Sequence, residues 1–455
     1  MKRIFLSVFV KTMMVSYCFA FAANGKPSLT NLTDSGAVYG NPNYRTTTGL
    51  PVQEFIQLTD AEAEPLRRGT PLRWTDFEPT GFYLPANTQL KLTVDKLKGA
   101  ALPQLLVGTV SLHKGVAIKT VPLSEGVNLI PANTIGGILW IRFTTIALPD
   151  SKVRITFNSG HQRMPVFIKN KTTAAQWNAQ LDSCQTPEVL VVGDRVYNVY
   201  TRERALKYRT EGQDPNIVIT GHDNFWNWEN EFIGLDNSKP VHAIPVHNRI
   251  LVTELLPSGG KGGAQNASDY RVGVNYPAPK NKVFTSNSLT MAGWGLWHEM
   301  GHIHNMLWRW SGLGEVTTNL PAHYVRENLK LPSRFETRWP LVKEYLSGTA
   351  KDKNFNKTKG GIKEVMFYQL RLAFGWDFYK EINKKYREKK PENKEDNAMK
   401  MRWFMLESCK VSGKNLTAFF KKWGFSTQEV PQSVYDEIAA LGLPNPSVDP
   451  STLID

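Results

Sequence analysis

The sequence is poor in cysteine, with three among its 455 residues. This number excludes a fold built on disulfide bonds, and it excludes cysteine-rich zinc or iron–sulfur sites. A metal ion, if the protein binds one, must therefore be held by histidine and carboxylate side chains. The sequence leaves open whether Cys184 and Cys409 pair with each other.

Long apolar runs are also scarce. Beyond the N-terminus, no segment approaches the roughly 18 consecutive apolar residues of a membrane span, so we expect none. At the N-terminus, three cations within the first eleven residues precede an apolar stretch over residues 13–21. Ala20-Phe21-Ala22 then gives the small-x-small pattern that signal peptidases cleave. The pattern predicts a signal peptide over residues 1–22 and a secreted or periplasmic protein.

Acidic residues are outnumbered, with 41 Asp and Glu against 55 Lys and Arg, which gives a net charge of +14. Such an excess is compatible with nucleic-acid binding, but an exported protein meets acidic glycans and anionic surfaces far more often. The densest basic run, residues 384–390, is interleaved with glutamates and is typical of a solvated helix face. The glycine-rich segment 257–264 lacks the Gly-Lys-Ser/Thr ending of a phosphate-binding loop. We therefore expect no nucleic-acid partner.

The hydrophobic pattern changes along the chain. Between Phe82 and Phe157, apolar residues alternate over short stretches separated by turn residues, which predicts a β-sandwich. From Met164 onward, helical and strand patterns are mixed, and the last third is mostly helical. The sequence thus predicts an α+β protein, with an N-terminal β-sandwich in residues 23–162, a mixed α/β part in residues 163–330 and a mainly helical part in residues 331–455.

His298-Glu299-Met300-Gly301-His302 is an H-E-x-x-H motif. On a helix, the i, i+4 spacing places both imidazoles on one face, where they can chelate one Zn²⁺, and Glu299 lies beside the metal as a general base. The mostly apolar flanks predict a buried helix from Ala292 to Trp308.

A catalytic zinc ion needs a third protein ligand and one open position. A metzincin would have Gly and His where this chain has Asn305 and Trp308, so that class is excluded. Glu315, on the following predicted helix, returns to the metal if the chain turns at Ser311-Gly312. Asn319 shares its face and can accept the outer ring N–H of a ligating histidine.

These residues resemble the M60-like (enhancin-type) zinc metallopeptidases, gluzincins in which H-E-x-x-H is followed within a few tens of residues by Glu. Three further segments are similar to that family: Trp74–Tyr83, Gly314–Asn319 and Phe374–Tyr379. The resemblance covers roughly residues 70–390. It implies a zincin catalytic domain in the mixed α/β part and one zinc ion per chain, and it implies mucin-like, O-glycosylated proteins as substrates.

Other candidate residues have weaker signals. A donor to the tetrahedral oxyanion is required, and Tyr324 and His323 follow the third-ligand helix. Trp226 and Trp228 lie among polar residues that suggest a loop, and Trp294 precedes the motif. These three tryptophans are candidates for stacking on substrate or glycan, with core packing as the alternative.

The sequence leaves three functions open. The first is an exported zinc endopeptidase for O-glycosylated proteins. The second is a non-catalytic glycan-binding or adhesion protein, against which the intact Glu299 argues because a pure binder needs no base. The third is a peptidase for unglycosylated protein or cell-envelope peptides.

Overall fold

The computed structural model describes residues 48–108, 118–245, 247–255, 265–275, 282–348, 353–389, 395–425 and 430–455. The predicted signal peptide and the glycine-rich segment 257–264 lie outside these residues. Within the described ranges, no helix is both long enough and apolar enough to span a membrane.

The described strands form three larger sheets and one short parallel pair, β2 with β9. In chain order the strands are β1 (Val52–Ile56), β2 (Leu58–Thr59), β3 (Glu78–Leu84), β4 (Leu90–Lys98), β5 (Gln104–Val107), β6 (Lys119–Pro122), β7 (Gly126–Ile130), β8 (Gly137–Arg142), β9 (Thr144–Thr145), β10 (Lys152–Ser159), β11 (Gln162–Arg163), β12 (Val166–Ile168), β13 (Glu188–Val192), β14 (Val196–Thr201), β15 (Ile250–Leu255), β16 (Asn266–Ser268) and β17 (Arg271–Asn275). The α-helices are α1 (Glu64–Arg68), α2 (Ala174–Ser183), α3 (Arg202–Thr210), α4 (Pro215–Phe232), α5 (Trp294–His304), α6 (Gly314–Thr317), α7 (Asn319–Asn328), α8 (Trp339–Ser347), α9 (Gly360–Glu388), α10 (Asn397–Ser412), α11 (Thr417–Lys422) and α12 (Gln432–Ala440).

The predicted β-sandwich is present. An antiparallel sheet in the order β1-β10-β4-β7 packs against a second sheet in the order β11-β3-β8-β5-β6. On β4 the alternating residues Leu90, Leu92 and Val94 enter the shared core, while Lys91 between them is exposed. This alternation is the period-2 pattern that the sequence shows.

The second sheet of the sandwich is covered on both faces. On β8, Leu139 and Ile141 point into the sandwich core, whereas Ile138 and Trp140 pack on a third, six-stranded sheet in the order β12-β13-β14-β15-β17-β16. A strand that is buried on both faces must be apolar at every position, which explains the continuous apolar run here. The chain therefore stacks three sheets.

Helices α4 and α5 cover the outer face of the six-stranded sheet. Trp297 and Met300 of α5 share a core with Phe225 of α4 and with Val252 and Val272 of the sheet. The helix that carries the H-E-x-x-H motif is thus supported by the sheet on one side. Its other side faces α7.

The C-terminal part is helical, as predicted, and packs around aromatic side chains such as Trp310, Phe367 and Phe404. Helix α9 consists of two helical arms that meet at a kink at Gly375. Gly375 has φ 76° and ψ 179°, a backbone conformation that few residues other than glycine adopt. Cys409 is buried and Cys184 half-buried, and both thiols are free.

The helix predicted from Ala292 to Trp308 is shorter in the structure, where α5 ends at His304. Asn305 has an extended backbone, with φ −72° and ψ 107°, and its buried side chain turns toward the next helices. Pro321 is tolerated because it lies in the first turn of α7, where a backbone N–H has no helical acceptor.

Candidate metal centre

Helix α5 presents His298 and His302 on one face. Their ring centroids are 4.8 Å apart with an interplanar angle of 85°, and both side chains are about one-fifth to one-quarter exposed. Gly301 lies beside them on the buried flank of the helix that faces Thr318 and Pro321. A Cβ atom at Gly301 would stand 2.5 Å from the carbonyl oxygen of Thr318, so this glycine permits the close approach of α5 to α7.

The chain then turns back at Gly312, which has φ 79°, and the four-residue helix α6 brings Glu315 to the histidines. Glu315 Oε2 is 3.1 Å from His298 Nε2 and 3.5 Å from His302 Nε2. Hydrogen bonds with the two imidazoles hold the pKa of the Glu315 carboxyl well below its ordinary value. Its side chain is 78% exposed, so the site opens toward solvent on this side.

The outer ring nitrogens of both histidines have acceptors. His298 Nδ1 is 2.7 Å from Asn319 Oδ1, and His302 Nδ1 is 3.3 Å from Thr318 Oγ1. The Thr318 hydroxyl donates to the Gly314 carbonyl, so it accepts from the imidazole. The sequence predicts the contact of Asn319 but not that of Thr318, the residue immediately before it.

This hydrogen bonding tests whether the residues fit a metal ion. With Nδ1 donating outward, each histidine has the Nε2 lone pair that a metal ligand requires. The two Nε2 lone pairs and the Glu315 carboxylate then face one another, and these electron-rich groups repel one another unless a proton or a cation lies among them. Two imidazoles and one carboxylate with an open side match the ligand set of catalytic zinc.

Glu299 is a second carboxylate beside the histidines. A carboxylate oxygen of Glu299 and one ring nitrogen of each histidine lie within 4.8 Å of one another. The Glu315 carboxylate is nearer to both Nε2 atoms. Glu299 is buried and accepts a hydrogen bond from the backbone N–H of Ala267 on β16. Burial raises the pKa of its carboxyl, and the neighbouring imidazoles partly oppose this effect. The arrangement suits a base beside the metal, with Glu315 as the third ligand.

The two oxyanion candidates bind glutamates outside the metal centre. His323 is fully buried, its Nε2 is 2.8 Å from Glu364, and its ring stacks on Phe335. The Tyr324 hydroxyl donates to Glu231 at 2.6 Å, and its ring is part of the helical core. Because His323 is fully buried and binds the buried Glu364, its proposed role as an oxyanion donor is wrong. The same role for Tyr324, whose partner Glu231 is about two-fifths exposed, stays a prediction.

Trp226 and Trp228 lie on helix α4, and the predicted loop is wrong. Trp226 is fully buried and its Nε1 donates to Asn248, while Trp228 is half-buried against both helical cores. Their polar neighbours are buried too, and His222, for example, is held by Asn198. Trp226 therefore cannot stack on a ligand, and the ring of Trp228 packs against the protein core.

Trp294 lies one helical turn before His298 and is half-buried. The guanidinium of Arg334 lies over its ring, 3.7 Å from the centroid, and His323 packs edge-on against it. Of the three tryptophan candidates, Trp294 is the one on the face of α5 that carries the first histidine.

Comparison with known proteins gives consistent matches. The family model for peptidase M60, enhancin and enhancin-like, matches residues 160–424, and a model for the N-terminal domain of M60-like peptidases matches residues 59–158. YghJ of Escherichia coli, named as a lipoprotein, is 24% identical over 90% of this chain and 30% of its own length. This chain spans less than a third of the length of the curated relatives it matches.

Solved structures share the fold. A conserved protein of unknown function from Bacillus anthracis is 25% identical, with a TM-score of 0.78 over 89% of this chain and 81% of that one. The M60 catalytic domain of ZmpC from Clostridium perfringens, in complex with the sialyl T antigen, is 20% identical, with a TM-score of 0.74 over 88% of this chain and 81% of that one.

Proposed function

The chain belongs to the peptidase M60 family, enhancin and enhancin-like, and from this premise we propose that it is an exported zinc endopeptidase acting on mucin-like, O-glycosylated proteins. One observation carries the proposal: the Nε2 atoms of His298 and His302 and the carboxylate of Glu315 converge, with Glu299 beside them. Export rests on the signal peptide predicted for residues 1–22.

His298, His302 and Glu315 would hold one zinc ion per chain. When bound, zinc supplies the Lewis acid that polarises the scissile carbonyl and makes the attacking water more acidic. Asn319 and Thr318 keep the two imidazoles in the ligating tautomer through their outer nitrogens. The exposure of Glu315 leaves the open side of the site to the substrate.

Glu299 is the proposed general base. It takes a proton from the attacking water and passes it to the leaving amine when the peptide bond breaks. Two features support this role. Burial raises the pKa of its carboxyl and so makes the carboxylate a stronger base, and the hydrogen bond from Ala267 fixes its orientation.

The glycan part of the proposal rests on the family and on Trp294. The ZmpC domain was solved in complex with the sialyl T antigen. In this chain, Trp294 lies one turn from His298, and the guanidinium of Arg334, which covers one face of its ring, offers N–H donors. An aromatic ring next to hydrogen-bond donors suits a sugar, which has an apolar face and a rim of hydroxyls.

The test uses zinc analysis and one Ser/Thr-rich peptide, made with and without a mucin-type O-glycan. We expect about one zinc ion per chain and cleavage next to the glycosylated residue. Removal of the glycan should lower kcat/KM by roughly 10²-fold, or about 2.7 kcal/mol, which one stacked ring and one or two hydrogen bonds supply.

Two outcomes would favour the alternatives. Equal rates on both peptides would favour a peptidase for unglycosylated protein or cell-envelope peptides and leave the zinc site intact. Glycan binding without cleavage by the zinc-loaded protein would favour a non-catalytic glycan-binding or adhesion protein.

A further inference from the structure

We propose that Asn305 is a positioning residue that fixes Glu315 relative to the two histidines by tying the segment 314–318 to the end of α5. The inference rests on the proposed function, because it assigns Asn305 a role in zinc binding. The same residue departs from the metzincin motif, which has glycine at this position.

Asn305 follows the last residue of α5 and is 1% exposed. Its Nδ2 donates to the Gly314 carbonyl at 2.8 Å and to Thr318 Oγ1 at 2.6 Å. Its Oδ1 accepts from Thr317 Oγ1 at 2.7 Å, the shorter of two contacts of that hydroxyl, whose single hydrogen also faces the Leu313 carbonyl at 3.0 Å. Both ends of the amide thus bind the segment that carries Glu315, on either side of that residue.

Helix α6 needs such an anchor. At four residues it is too short to be stable alone, so contacts with the rest of the chain must set its position. Leu313 and Val316 bury apolar side chains in the helical core, but hydrophobic contacts are non-directional. The three hydrogen bonds of Asn305 are directional, and they start three residues beyond His302.

The hydrogen bonds of Asn305 to Gly314, Thr317 and Thr318 form a clamp, and the Thr318 hydroxyl connects this clamp to His302. Its single hydrogen goes to the Gly314 carbonyl at 2.7 Å, so its oxygen accepts from Asn305 Nδ2 and from His302 Nδ1. One amide side chain therefore orders both the third ligand and the acceptor that orients His302. Its removal should leave all three ligands in the chain but lose their preorganisation.

The experiment measures the zinc Kd of the full chain by competition with a chelator, for wild type, Asn305→Ala and a matched control. Asn383→Ala is the control, because Asn383 is also fully buried and makes two hydrogen bonds, to Trp308 and Phe232, remote from the histidines. We expect Asn305→Ala to raise the Kd by roughly 10- to 100-fold, as for other groups that orient metal ligands. Asn383→Ala should lose stability and keep its Kd within about twofold of wild type.

A second experiment, in the Glu315→Ala variant, separates positioning of the third ligand from a general loss of structure. Because Asn305 acts through the third ligand, Asn305→Ala should raise the Kd much less when Glu315→Ala is already present. If Asn305→Ala fails to fold, Thr317→Val replaces it, since this change removes one hydrogen bond of the clamp and preserves the shape of the side chain. An unchanged Kd in the clamp variant, or an equal rise in Asn383→Ala, would overturn the inference, and zinc binding and cleavage by wild type would show that the proposed function still holds.

Discussion

Substitution of Glu315 by alanine should weaken zinc binding by a predictable amount. The Glu315 carboxylate lies 3.1 Å from His298 Nε2 and 3.5 Å from His302 Nε2, so it would contact an ion held by the two imidazoles directly. Loss of a group that only orients a metal ligand costs roughly 10- to 100-fold in affinity, and loss of a ligand itself should cost more, so we expect the zinc Kd to rise by more than about 100-fold. His298 and His302 remain on α5, so the variant should still bind zinc, but weakly.

The assay is chelator competition followed by isothermal titration, with the unfolding transition of the zinc-free protein as a check on the fold. Glu344→Ala is the matched control, because Glu344 is an exposed glutamate on α8 and does not contact the histidines. Wild-type zinc affinity in Glu315→Ala would refute the assignment of Glu315 as the third ligand.

Three further predictions concern the surroundings of the site. Gly301→Ala should lower the unfolding free energy, measured in urea melts, by about 1–3 kcal/mol, because the new Cβ would lie 2.5 Å from the carbonyl oxygen of Thr318. Gly314→Ala is the control, since a Cβ at Gly314 has no atom within 4 Å and the variant should be as stable as wild type. Asn319→Ala should raise the zinc Kd by roughly 10- to 100-fold through loss of the acceptor for His298 Nδ1, and an unchanged Kd would remove Asn319 from the site. Burial lowers the pKa of His222 to about 3, so below about pH 6.5 the imidazole takes up a proton in the unfolded chain but not in the folded chain. Lowering the pH from 6.5 to 5 therefore destabilises the wild type through this residue, and the loss of unfolding free energy over that range should be about 2 kcal/mol smaller in His222→Gln. Equal losses in the two proteins would contradict this prediction.

The parts of the site that sequence analysis identified depend on local spacing. The i, i+4 histidines stand on one face because α5 is a helix, and Glu315 and Asn319 share a segment that one turn at Gly312 returns to α5. The β-sandwich could be predicted for a similar reason, since alternation of apolar residues reports burial of one strand face directly.

The incorrect predictions involve partners that are distant in the chain. Trp226 looked like a loop residue because its neighbours are polar, but Asn248 and other buried groups satisfy these side chains within the core. His323 looked available for the substrate, but Glu364 on a different helix binds its ring in the core. Thr318 gave no signal in the sequence, because its role depends on how α6 meets α5. Spacing predicts a periodic face, but hydrogen-bond partners across the fold require coordinates.

The proposed role of Glu299 as the base of a zinc peptidase has a direct test. The steady-state cleavage of the glycosylated peptide is compared between wild type and Glu299→Gln, both with zinc content confirmed at one ion per chain. Glutamine keeps the shape of the side chain but cannot take the proton, so kcat should fall by a factor on the order of 10² to 10⁴ while zinc binding persists. Near-normal turnover by the zinc-loaded Glu299→Gln variant would show that Glu299 is not the base.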